Sequence, residues 1–416
     1  MSVWDEVVGQ PRVVEVLQRA AMNPATLAHA WLFTGPPGSG RSVAARALAA
    51  ALLCDLNTSE ANTSEASATQ FSTSNASTGA TNSGTQPPGC GVCNACRTVH
   101  AGAHPDVTTL ATDKVTMGID EVRSLVGLAA RTPVSGKYRI IIIEDADRML
   151  EKTTNVLLKP IEEPPPHVIW MLCAPSPADV LPTIQSRCRA VTLQVPPLQA
   201  VADVIVQRDG VDPATALAAA RQAQCHVGIA RRLARDPGAR QRRSSVFDTV
   251  LRIGSAGQAV LAAETLVKVA KEEAEASSND RNAAEEAELR RVLGLEPQGT
   301  VPSALRTQFK QLAEGQARRA KRANNDVLDR TLLDVMSLYR DVLVLQYHAS
   351  ARVDLINGDD PVGRNAAEVI ARHSIPAETL ERLDAVTTAR KRIAANVPPL
   401  LAIEALCATI YPKARR

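Results

Sequence analysis

The stretch His29 to Ser42, H-A-W-L-F-T-G-P-P-G-S-G-R-S, changes character twice. A short apolar run ends at Thr34, glycines follow at Gly35, Gly38 and Gly40, and V-A-A-R-A-L-A-A-A-L-L after Ser42 has the Ala/Leu content of a helix. Strand, Gly-rich turn and helix, in that order, form the context in which a phosphate-binding loop works. Its glycines let backbone N–H groups close round phosphate oxygens, a Lys reaches the β and γ oxygens, and a Ser or Thr hydroxyl holds Mg²⁺. Here Gly35, Gly38, Ser39, Gly40 and Ser42 occupy the loop, but Arg41 stands where the Lys belongs. Arg keeps the positive charge, yet its planar fork is bulkier than a compact ammonium. The loop is therefore expected to bind nucleotide weakly and to hydrolyse it poorly. The plain alternative is an ordinary Gly-rich turn, and the acidic motif described next weighs against it.

A second strand, R-I-I-I-I at 139 to 143, runs straight into Glu144 and Asp145. Continuous β-branched residues mark a strand covered on both faces, as in a parallel sheet. At the end of such a strand a working nucleotide hydrolase needs an acid for the Mg²⁺ shell and then a longer acid to polarise water. Glu144 and Asp145 come in the reverse order. Asp is one methylene short for the second task, and a misplacement of about 1 Å costs about two orders of magnitude in rate. Little or no intrinsic ATPase activity is expected. Two further strands, V-I-W-M-L-C-A at 168 to 174 and A-V-T-L at 190 to 193, alternate with helical segments, one of which ends before Pro164-Pro165-Pro166. Residues 1–197 thus read as a doubly wound parallel α/β domain.

After Pro197 the β signals stop. Residues 198–244 read as a small domain of short Ala-rich helices, broken at Gly210-Val211-Asp212-Pro213 and at Gly228. Residues 245–416 read as an all-α domain with an acidic segment, a break at Glu296-Pro297-Gln298-Gly299, and a long amphipathic stretch in which Leu328, Leu332, Val335, Tyr339 and Val342 fall at helical spacing. The basic run Gln316 to Arg322 reads as a solvated helix face, with contact to a DNA backbone as its alternative.

Cys90, Cys93 and Cys96 lie within seven residues, and Cys54 closes the first helix. In a reducing compartment such spacing favours metal over disulfide, and four thiolates make a closed tetrahedral, structural Zn²⁺ site. Cys173, Cys188, Cys225 and Cys407 are isolated and read as packing residues. Between Cys54 and Cys90, 18 of the 32 residues 57–88 are Ser, Thr or Asn, so this tract reads as a disordered insertion into a zinc module spanning 54–106. A net charge of +3 on 47 basic and 44 acidic side chains gives no global basic field, so any DNA contact is local. With no apolar leader and no membrane-length apolar run, the chain reads as cytoplasmic.

Taken in order, V-V-G-Q at 7 to 10, H-A-W-L-F-T-G-P-P-G-S-G-R-S, the four cysteines, H-P-D at 104 to 106, the strand ending in Glu144-Asp145, N-V-L-L-K-P-I-E-E-P-P-P at 155 to 166 and S-R-C at 186 to 188 resemble the clamp-loader subunits of bacterial DNA polymerase III, and among them the delta-prime type. The resemblance spans residues 1 to about 235. It implies an AAA+ module with a zinc insertion, a helical lid at 198–244 and a helical collar at 245–416. It also implies a cytoplasmic, replisome-associated pentameric ring with gamma/tau- and delta-type partners that loads the sliding clamp onto primer-template DNA. By the same resemblance Arg187 is an arginine finger supplied to a neighbouring ATPase subunit, Ser176 is what remains of a hydroxyl pair sensing the γ-phosphate, and ATP/Mg²⁺ is a weak ligand at most. A gamma/tau-type motor is the alternative, and a lone nucleic-acid-binding zinc protein is the remaining one. Pro160 departs from the family pattern and is expected to interrupt its helix.

Overall fold

The computed structural model describes residues 2–55, 88–112, 116–292, 295–296, 302 and 306–411. The expected insertion at 57–88 lies, but for Pro88, outside the described residues, as does most of the break at 296–299. The chain divides into two compact units, one comprising residues up to 204 together with 225–228, the other comprising 205–224 and 229–416. The segment 198–244 is shared between them.

In the first unit five strands, β1 (Ala30–Thr34), β2 (Val107–Leu110), β3 (Arg139–Ile143), β4 (Val168–Ala174) and β5 (Arg189–Thr192), form one sheet in the order β2-β3-β4-β1-β5, every pair parallel. Register is tight along the centre, with Leu32 opposite both Leu172 and Ala190. Every residue of β1, β3 and β4 is buried, because alternate side chains feed two different cores. Trp31, Phe33, Ile140, Ile142, Met171 and Cys173 pack on one face with α1 (Pro11–Met22), α2 (Arg41–Leu52) and α3 (Asn94–His100). Leu32, Ile141, Ile143, Trp170 and Leu172 pack on the other with α4 (Ile119–Ala129) and α5 (Glu151–Glu162). This is the doubly wound α/β architecture expected from the sequence.

Three local readings need correction. Strand β2 went unread: V-T-T-L is short, sits at the sheet edge and is only half-buried, so it carries no apolar run. Pro160 does not interrupt its helix, since α5 continues through it to Glu162. That position is in the last turn, where a missing N–H costs a single bond, and Glu163 N–H still reaches the Lys159 carbonyl. The helix break expected at Gly228 falls earlier, at Gln224 and Cys225, whose φ values of 49° and 63° are left-handed, and Gly228 lies inside the next helix.

The second unit is entirely helical among its described residues. It comprises the end of α7 (Leu198–Asp209), α8 (Pro213–Gln222), most of α9 (Val227–Arg235), α10 (Pro237–Leu251), the long α11 (Ala256–Val292) and α12 (Arg306–Gln346), then α13 (Pro361–His373), α14 (Pro376–Ala394) and α15 (Pro399–Ile410). The five apolar residues read at helical spacing, Leu328 to Val342, all enter its core beside Phe247, Leu266 and Ile403. The acidic residues Asp212, Asp236 and Asp360 each cap the start of a helix that opens on Pro, so these Asp-Pro steps are start signals.

Candidate functional site

The glycine loop joins the end of β1 to α2. Gly38 and Gly40 take φ values of 84° and 92°, left-handed positions that a side chain would strain, and Gly40 is the N-cap residue of α2. At Gly38 a Cβ would lie 2.6 Å from the His226 ring, so the loop is packed close to that side chain. Ser39 is buried, its Oγ without a hydrogen-bond partner. Arg41 turns back on the loop itself, donating from Nη1 to the Gly35 carbonyl at 2.6 Å. Gly35 N–H is in turn tied to the Pro175 carbonyl after β4, at 3.2 Å. The backbone cradle of an anion loop is thus present, while the cation that would meet the outer phosphates is engaged in closing the loop.

The acidic pair sits at the end of β3 as expected. Glu144 Oε1 accepts from Arg46 Nη1 at 3.2 Å, an ion pair with a residue one turn further along α2 than Ser42. Sequence reading passed over Arg46; its position four residues after Ser42 on the helix facing the sheet was the available signal. Arg41, Ser42, Arg46 and Glu144 converge around the buried Cys173 of β4. Its thiol is pushed up to about 12 by burial first, with the Glu144 carboxylate adding to the shift. Ser176, by contrast, works locally: its Oγ accepts from Ala178 N–H at 3.2 Å and its own N–H donates to Asp179, so it caps the short turn after β4.

Arg187 follows the single-turn helix α6 (Pro182–Gln185) and precedes β5. It pairs through Nη2 with Glu162, the first acid of E-E-P-P, and donates from Nη1 to the Thr183 carbonyl at 2.7 Å. Two motifs read separately in the sequence therefore meet in one partly exposed ion pair. The basic run at 316–322 is helical, and the side chains of Arg318, Arg319, Lys321 and Arg322 lie outside the described residues.

The four cysteines come together. The sulfurs of Cys54, Cys90, Cys93 and Cys96 all lie within 4.8 Å of one another, with Cys54 Sγ at 3.7 Å from Cys90 Sγ and 3.9 Å from Cys93 Sγ. Four thiolates about 2.3 Å from a tetrahedral zinc are about 3.8 Å apart, so the set fits such an ion. Backbone N–H groups of Cys93 and Cys96 point at Cys90 Sγ and Cys93 Sγ, at 3.3 and 3.4 Å. Burial pushes the Cys90 thiol up, but the Val92 and Cys93 N–H groups and the neighbouring thiols outweigh it and bring it down to about 7. Burial raises the Cys93 and Cys96 thiols. The first residues of the chain secure this loop: Trp4 Nε1 donates to the Pro88 carbonyl at 2.8 Å, and a Cβ on Gly89 would collide with Val3.

H-P-D proves to be a structural fastening. Asp106, fully buried, accepts from the N–H groups of Val134, Ser135 and Gly136 at 2.6 to 2.8 Å and pairs with Arg139 at 3.3 Å. Burial alone would raise its carboxyl, yet these donors hold it below the usual carboxylate range.

Residues 9–197 match the family described as "DNA polymerase III, delta subunit". A gamma/tau subunit of DNA polymerase III from Mycobacterium tuberculosis is 31% identical over 210 residues, covering 50% of this chain and 32% of its own length. The delta' subunits of Pseudomonas aeruginosa and Escherichia coli are 34% and 37% identical over 130 and 112 residues, covering 31% and 26% of this chain and 40% and 34% of their own. This chain thus spans well under half the length of these curated relatives. Among the described residues no helix is long and apolar enough to cross a membrane. The similarity to these DNA polymerase III subunits falls on the part of the chain that carries the five-stranded parallel sheet, the glycine loop at the end of β1 and the cysteine cluster between α2 and α3.

Proposed function

We propose that the protein is a delta-prime-type subunit of the clamp loader, a ring scaffold rather than a motor. Its partners are gamma/tau- and delta-type subunits in a pentamer that loads the sliding clamp onto primer-template DNA. In this reading 198–244 is the lid, 245–416 the collar, and Zn²⁺ held by Cys54, Cys90, Cys93 and Cys96 a structural ion. The observation that carries the reading is the engagement of both charged positions of the nucleotide site, Arg41 with the Gly35 carbonyl and Glu144 with Arg46. Nucleotide can rest its phosphates on the loop, but Arg41 and Glu144 are committed elsewhere. Arg187 is the residue we assign to a neighbour's active site, with Glu162 holding its guanidinium until assembly. The second reading, a gamma/tau-type motor, is favoured by the gamma/tau relative at 31% identity over 210 residues, a longer aligned stretch than those of the delta' relatives described above. ATP turnover by the purified chain decides between them: a scaffold shows none above background, and a rate comparable to that of an isolated motor subunit would establish the second reading.

A further inference from the structure

The second unit holds a partly open cavity of about 70 Å³ between α9, α10, α11 and α12, remote in sequence from the glycine loop. Four arginines line it, Arg232, Arg242, Arg243 and Arg330, against two carboxylates, Glu273 and Asp334. Glu273 is already divided between two of them, accepting from Arg232 Nη2 at 2.5 Å and from Arg242 Nε. Arg242 also reaches Asp236 at 3.0 Å. Arg243 has a side chain only 4% exposed; its Nε meets Asp334 at 2.7 Å and its Nη2 meets Asn357 at 2.6 Å, but its Nη1 is buried with no partner. A buried donor on a guanidinium left without an acceptor is costly, and proteins rarely tolerate one without a ligand or water to meet it. Arg330 donates from Nε to the Asp326 carbonyl and is crowded by Arg232, and burial together with this like charge lowers its pKa. An unmet guanidinium donor on Arg243 in a cavity lined by three further arginines is complementary to a small oxyanion.

We propose that this cavity is a binding site for a phosphate group. At roughly 10–15 Å³ for each water-sized atom, the space holds about five heavy atoms, the number in one phosphate. The phosphate completes the hydrogen bonding of Arg243 and offsets the charge that Arg232 and Arg330 bring together. Its source is either free inorganic phosphate or the terminal phosphate of a nucleotide. The site is independent of the delta-prime reading, since none of its residues belongs to the nucleotide loop.

The test is thermal unfolding and calorimetric titration of the full chain with inorganic phosphate, diphosphate and a nucleoside triphosphate, each against chloride at matched ionic strength. Arg330→Gln and, as a second variant, Arg243→Lys are compared with wild type; Arg41→Ala removes the loop's own cation. The expected result is a saturable rise in Tm with phosphate or nucleotide, retained in Arg41→Ala and weakened about ten- to a hundredfold in Arg330→Gln. Saturation by inorganic phosphate identifies the free ion as the source, and saturation by the triphosphate alone in the Arg41→Ala background identifies a nucleotide. No effect beyond that of chloride, undiminished binding in both cavity variants that fold as wild type does, or loss of binding in Arg41→Ala would each overturn the proposal.

Discussion

Arg41 and Arg187 are both arginines whose present hydrogen bonds are intramolecular, and magnitudes separate their meanings. Arg41 bonds a loop carbonyl while Glu144 is held by Arg46, so restoring a Lys changes only one of several committed groups. Arg41→Lys alone is expected to give no ATP turnover above background. The combination with Glu144→Asp and Asp145→Glu is the variant in which a rate can appear, as measured by phosphate release; motor-level turnover from Arg41→Lys alone would refute this account of the acidic pair. Arg187 is different, because its pair with Glu162 leaves the two side chains 35% and 44% exposed. Exposed pairs contribute about 0–1 kcal/mol, so the guanidinium can be released to another partner at little cost. Glu162→Gln should accordingly change chain stability by less than about 1 kcal/mol in urea unfolding. If Arg187 has the proposed finger role, Arg187→Ala should leave assembly of the proposed ring intact while lowering DNA-stimulated ATP turnover of the reconstituted complex, with about 10³ to 10⁵ as the upper bound for arginine fingers. Arg187→Lys should rescue poorly, since an ammonium lacks the forked donors. Wild-type turnover by the alanine complex at equal assembly would return Arg187 to a surface ion pair.

Among the elements, the loop after α4 and the cysteine loop each have a shape that rests on a few polar atoms. Asp106 and Arg139 are buried while the three N–H groups belong to a partly exposed loop, so Asp106→Ala leaves a buried cation without its carboxylate and is expected to cost about 3 kcal/mol. Because its folded-state carboxyl lies below the ordinary value, its contribution is complete above the unfolded carboxylate's pKa and is lost as pH falls through the folded one. Wild-type and Asp106→Ala stabilities should therefore converge in strongly acid solution; a constant gap down to the acid limit would contradict the assignment. Metal analysis of protein purified without chelator should find one zinc per chain, and less than about half an equivalent would reject the closed Cys₄ centre. Deleting residues 57–87, which keeps the Pro88 carbonyl that accepts from Trp4, should preserve both zinc and fold, since changing the length of a connection alters closure entropy only slightly. β2 and the break at Gln224-Cys225 escaped sequence reading for one reason: each depends on what lies beside it. An edge strand of V-T-T-L gains its hydrogen bonds from β3, and left-handed non-glycine residues are held by their surroundings.

At the scale of the whole molecule, the sequence by itself determined the α/β class, because runs such as R-I-I-I-I and V-I-W-M-L-C-A can only be satisfied as strands covered on both faces. It also determined the helical second half, since Leu328, Leu332, Val335, Tyr339 and Val342 repeat with the helical period and all reach the core. The four-cysteine cluster was legible too, because three thiols in seven residues are close whatever the fold, and Cys54 follows from its place just past the end of α2. These are properties of chain-local spacing, which no distant contact can alter. Only the tertiary structure decided which partner each charged residue takes. Glu162 and Arg187 are 25 residues apart and meet because α5 and the segment before β5 are neighbours in space. Glu144 meets Arg46 because β3 and α2 share one face of the sheet, and four arginines from three helices line one cavity because those helices pack together. Charged side chains carry no periodic signal of their own, and the Coulomb attraction that pairs them acts between whichever groups folding has already brought within a few ångströms.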